Sequence, residues 1–176
     1  MSRRLQPAAW TLSPSFLTRE TGRRLRPARA LALGTLTVGV LDGLDAIIFF
    51  GLRGVAPSRI FQSIASGLLG RAAFDGGMAT ALLGVMLHFT VAFLIVTTYF
   101  LASRVLPVLA QRPWRFGPLY GIVAYIVMSR VVVPLSAAAS GPPSAAVVLN
   151  GLLIHIVGVG LPAALCARAA AAARTV

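Results

Sequence analysis

Apolar residues recur in four long runs, at about residues 30–52, 78–103, 117–139 and 145–167, separated by segments that gather Arg, Pro and Gly. A helix crosses a bilayer with about 20 consecutive apolar residues, so each run predicts one transmembrane helix. The Pro113-to-Pro118 segment opens the third run, and the Gly141-Pro142-Pro143 break precedes the fourth. The stretch between the first two runs has a different rhythm. Ile60, Phe61, Ile64 and Leu68 fall on one helical face, and Gln62, Ser63, Ser66 and Gly70 on the opposite one. This predicts an amphipathic helix within 58–74, too short to span. It would either lie in the interface or dip inward as a re-entrant cap packed on protein, and Ser63, Ser66, Gly67 and Gly70 would allow close helix approach. The fold class is therefore all-α: an integral membrane protein with four transmembrane helices plus a short amphipathic or re-entrant helix between helices 1 and 2. One four-helix domain occupies 30–176, behind a tail of residues 1–29 that Pro7, Pro14 and Pro27 keep from forming a continuous helix and that is expected to be disordered.

Composition agrees with this class and narrows it. Hydrophobic residues make up 57% of the chain, charged residues only 11%, and the mean hydropathy is +0.85, far from the quarter-charged average of soluble domains. The formal charge of +12 comes from 16 basic residues, all of them Arg, against four acids. Seven Arg lie in the N-terminal tail, three in the 103–116 connection and two after the fourth span, against three in the 53–77 connection and none in 140–144. By the positive-inside rule both termini face the cytoplasm, and the chain belongs in a bacterial inner (plasma) membrane with its Arg-rich tails drawn to anionic lipid. An Arg-rich, acid-poor start can imitate a mitochondrial presequence, but a topology-fixing tail is the plainer reading; the first span is too long and too acidic for a signal-peptide core. No basic face is interleaved with stacking aromatics, so a nucleic-acid partner is not expected. Cys166 is the only cysteine, which excludes an intrachain disulfide and a thiolate metal cluster.

The candidate chemistry lies where such a chain should have none. Asp42, Asp45, His88, Arg130 and His155 fall near the middles of the runs, and Asn150 lies one to two turns above His155. A charge at the bilayer centre costs from about 3 to more than 10 kcal/mol, so these residues must be paired, hydrated or used. Asp42 and Asp45, at i and i+3, share a helical face with the Gly39-x-x-x-Gly43 spacing, which points that face into the bundle. Pro134 cannot donate to the carbonyl of Arg130, nor Pro162 to that of Gly158, so each marks an expected kink. The plainer reading is a buried Arg130–Asp pair that fixes register, with each His a packing residue. One Arg cannot neutralise two acids, however, and the surplus acid beside two His at matched depth points to a polar path or a site for ion relay. The segment Gly84–Phe89 matches Gly151–Ile156 around the two His, hinting at a two-hairpin duplication.

Several functions fit those residues. The first is a channel or carrier for protons, a cation or a small polar solute, with Asp42 and Asp45 binding or relaying charge, Arg130 setting the field and the imidazoles titrating; four helices are few for a pore, so a homodimer is expected. A structural or partner-binding membrane subunit is the close alternative. A membrane cytochrome b would use His88 and His155 as haem ligands, with Gly84 and Gly151 making room, although no cofactor is otherwise expected. Ser66, Ser129 and Ser140 sit in no nucleophile motif, and the His and Asp residues lack zinc-site spacing, so catalysis is not expected.

The run Arg59–Gly67, followed by Gly76-Gly77 and the Gly84-to-His88 segment, resembles an uncharacterised bacterial family of four-helix inner-membrane proteins over about residues 33–167. A looser likeness, to the YagU-like inner-membrane family, lies in the layout of a His-bearing span after a helical loop; the first connection is shorter here. YagU-like proteins have been associated with acid tolerance; for this chain the resemblances imply location and architecture, not mechanism.

Overall fold

The computed structural model describes residues 26–138 and 141–171. Nearly all of the Arg-rich tail expected to be disordered lies outside the described residues. Four helices are long and apolar enough to cross a membrane: α1 (Pro27–Gly51), α3 (Gly77–Val105), α5 (Pro113–Leu135) and α6 (Ala145–Ala171). Two shorter ones lie between them, α2 (Pro57–Leu69) and the single turn α4 (Val108–Gln111). Three of the six, α1, α2 and α5, begin with Pro in the first turn, where the missing N–H would have had no partner and the fixed φ suits the helix.

The long helices alternate in direction. One end of the bundle, the loop end, carries the 52–76 and 136–144 connections; the other, the terminal end, carries Pro27, Ala171 and α4. The third span is displaced from the expected 117–139 to Pro113–Leu135. Pro113 starts the helix instead of blocking it, and Pro118 is carried inside the first turns. Both expected kinks take the form of π turns, Met128–Val132 before Pro134 and His155–Gly160 before Pro162. A proline removes one donor from the ladder, and the wider turn redistributes the carbonyls left over.

Small residues decide which helices touch. Gly117, Gly121 and Gly160 bring the backbones of α5 and α6 together: a Cβ on Gly121 would collide with the carbonyl of His155, and one on Gly160 with that of Gly117. Toward the terminal end, α1, α3 and α6 close around Val38, Val96, Tyr99, Val159, Ala163 and Ala164. Tyr99 and Tyr120 meet edge to face at 4.9 Å and donate to the carbonyls of Leu109 and Ile95 at 2.9 and 2.7 Å.

The helix α2 is packed on protein. Its Phe61 carbonyl lies against Gly84 of α3, where no side chain would fit. Ile60, Gln62, Ala65 and Ser66 are all buried, so part of the face expected to be polar turns inward. The polar groups there are satisfied: Gln62 Nε2 donates to the Gly77 carbonyl at 2.9 Å, and Ser66 Oγ to that of Ser63 at 2.6 Å. A 3-10 turn, Gly70–Phe74, returns the chain to α3, flanked by Gly70 and Gly77 at φ 58°, a value that favours glycine.

Candidate functional site

Four of the five mid-span ionisable residues converge. At about 1.5 Å of rise per residue, Asp42, His88 and His155 each lie about 14 to 16 Å from the loop-end termini of α1, α3 and α6. Asp45 and Asn150 form a second layer, about 8 to 9 Å from those termini. The expected glycine face is what aims the acids inward. Gly39 makes room for the Phe89 ring and Gly43 for the His88 imidazole, whose Nε2 would stand 3.3 Å from a Cβ there.

In the lower layer, His88 Nε2 lies 2.8 Å from the Gly39 carbonyl. A carbonyl can only accept, so this nitrogen carries a proton in every state that keeps the bond. His88 Nδ1 then faces Asp42 Oδ2 at 3.9 Å, too far for a direct hydrogen bond and close enough for one water to bridge. The side chains are 11% and 28% exposed, so the imidazole is well covered while the carboxylate is partly open. Phe61 and Phe89 set their rings edge-on to the imidazole and hold its plane. His155 is fixed differently: its Nδ1 donates to the Gly151 carbonyl of its own helix at 2.9 Å, while Nε2 has no hydrogen-bond partner among the described residues, with Tyr125 edge-on at 5.5 Å. In the upper layer, Asn150 Nδ2 donates to Asp45 Oδ2 at 2.7 Å and ties α6 to α1.

Two cavities meet at these residues. A vestibule of about 460 Å³ extends from Gly141–Pro143 at the loop end down to Asp45, Asn150, Asp42 and His155. Beneath it a smaller cavity of about 200 Å³ is lined by Asp42, His88 and His155 among Ile64, Met128 and Val159. Asp42 and His155 border both. The smaller space is large enough for several waters at about 30 Å³ each, with three polar side chains on its wall. No protein-family model, curated protein or solved structure matches this chain. Its chemistry therefore has to be read from these side chains alone.

Arg130 is not part of the cluster, and the expected Arg130–Asp pair is corrected. The residue is exposed, lines neither cavity, and among the described residues has no carboxylate within 4.0 Å. It follows Leu119, Val123 and Ile126 along the lipid-facing side of α5. Because α5 ends at Leu135, Arg130 lies only about 8 Å from the loop end, within reach of the interface for so long a side chain. The two acids are met instead by His88 and by the neutral Asn150 amide.

A haem does not fit between the two His. The space beside Gly84 is filled by the Phe61 backbone and that beside Gly151 by the Tyr125 ring, while His88 Nε2 is committed to Gly39. Tyr125 and Ser129 in the vestibule and Ile64 of α2 in the lower cavity were not assigned to the site from the sequence. Tyr125 was detectable as a polar aromatic at the right depth; nothing in the sequence distinguishes Ile64 from any other apolar residue of α2.

Proposed function

We propose that this multi-pass membrane protein moves a proton or small cation through the vestibule, with Asp42 and His88 as the proton-exchanging pair. The observation that carries the reading is the His88 geometry. One ring nitrogen is held protonated by the Gly39 carbonyl, so a proton exchanged with Asp42 passes through the other, Nδ1, which faces the Asp42 carboxyl. Moving one proton between them through a bridging water leaves the Gly39 bond intact. Asp42 and His155 border both cavities and so link the pair to the vestibule, and Asp45 with Asn150 stands on the vestibule wall above them. The Arg distribution supports a bacterial inner membrane with cytoplasmic termini, so that the vestibule opens outward.

The reading is tested in proteoliposomes carrying an internal pH indicator under an imposed proton gradient. Asp42→Asn and His88→Ala each reduce flux at least about tenfold, comparable to removing one charged hydrogen-bond partner at about 1.5 kcal/mol or more. Wild-type flux in both variants, or no wild-type flux above empty liposomes, refutes it. A structural or partner-binding subunit is the second reading, favoured by the exposed Arg130 on an apolar helix face; a stable complex on pull-down, with no flux from the chain alone, would support it.

A further inference from the structure

We propose that the vestibule binds a small organic cation, an amine of alkylammonium size, in preference to a bare metal ion. The proposal rests on the reading of the vestibule as the functional mouth and names what it takes. Size comes first. At about 460 Å³ the cavity falls in the range of small-molecule sites, about 300 to 1,000 Å³. A dehydrated ion needs oxygens closing in at about 2.3 to 2.6 Å on all sides, and a space this wide with two carboxylates on one side does not supply that cage.

Charge sets the sign. Asp42 and Asp45 both border the vestibule, and among the described residues no guanidinium comes within 4.0 Å of either. Asn150 holds Asp45 through Oδ2, and among the described residues no donor reaches Oδ1. An anion is repelled here, and a purely apolar guest would strip water from two carboxylates with nothing in exchange.

The walls select an organic ligand. Phe49, Phe50 and Tyr125 line the same space, and aromatic faces attract cations whose charge is spread over alkyl groups. The chain supplies its own precedent at the rim: the Arg53 guanidinium sits 3.6 Å above the Phe49 ring while donating to the Phe49 carbonyl at 2.6 Å. Phe50 and Tyr125 are engaged by no cation of the described residues.

The test is calorimetric titration of the full chain in nanodiscs with tert-butylammonium, its neutral near-isostere tert-butanol, and sodium as competitor. Expected is saturable binding of the ammonium, none of the alcohol, and no displacement by equimolar sodium. Asp45→Asn, which keeps an acceptor for Asn150, weakens binding about tenfold, and Phe50→Leu weakens it about threefold. Equal binding of the alcohol, displacement by sodium, no ammonium binding by the wild type, or unchanged affinity in Asp45→Asn overturns the proposal. Were Asp45→Asn to lose its melting transition, Phe50→Leu decides in its place, and unchanged affinity there overturns the proposal equally. Ammonium binding without proton flux would remove the transport reading and leave this site standing; proton flux without ammonium binding would do the reverse.

Discussion

The two ends of this bundle are packed on different rules. At the terminal end, Val38, Val96, Tyr99 and Val159 are at most 2% exposed, and α6 presents Ala163, Ala164, Ala167 and Ala170 to its neighbours. At the loop end, no residue of α6 from Ala145 to Ile154 and none of α5 from Met128 to Leu135 is buried. The vestibule opens in that looser part, the smaller cavity lies where it meets the packed end, and both π turns border the looser part. Among the described residues, α2 wedged against α3 and the 3-10 turn after it, with Ala73 buried, bring tight packing to the loop end. Lipid tails are as apolar as side chains, so close contact between small residues is what holds membrane helices together. Where that contact is given up, polar side chains find room and water. The cluster lies on the boundary, its imidazole held by the packed side and its carboxylates turned to the open one.

The contrast is sharpest at the joint between the ends. Gly121→Leu drives a side chain into the His155 backbone and should cost about 3 kcal/mol or more, read as a large fall in the melting temperature of the purified protein. Paired truncations compare the ends directly. Val96→Ala, in the closed core, leaves a void and costs about 1 kcal/mol, since the transfer component is small in a bilayer and the packing contacts are lost. Val147→Ala, on the vestibule wall, costs less than about 0.5 kcal/mol; equal losses would erase the distinction. Tyr99→Phe removes the bond to the Leu109 carbonyl and leaves that acceptor unmet, at about 1 kcal/mol. Arg130→Gln comes last: with no partner among the described residues, it should change stability by no more than about 0.5 kcal/mol and leave proton flux as in the wild type.

Hydropathy placed the four spans to within a few residues because length and apolarity are summed properties of a segment. It placed the start of α5 late because Pro113 and Pro118 look like breaks and are tolerated near a helix N-terminus. The inward turn of Asp42 and Asp45 was legible because Gly39 and Gly43 mark the packed face. The same rule, applied to α5, would have turned Arg130 outward. Gly121 lies nine residues before it, about half a turn around the helix at 3.6 residues per turn, and Gly121 is the side that meets α6. Pro134 and Pro162 announced distortions, but the choice of a π turn over a bend depends on neighbours that the local sequence does not specify. The 3.9 Å gap between His88 and Asp42 and the capture of Nε2 by Gly39 are set by three residues on two helices and had no sequence signal.

The proton-exchanging pair is best probed by nitrogen-15 NMR of the His88 ring in lipid, followed from acidic to alkaline pH. Nε2 is expected to carry a proton at every pH at which the protein is folded, held by the Gly39 carbonyl, and Asp42→Asn is expected to move the Nδ1 resonance while leaving that of Nε2 in place. A bare Nε2, or an Nδ1 resonance indifferent to Asp42→Asn, would refute the pairing of His88 with Asp42.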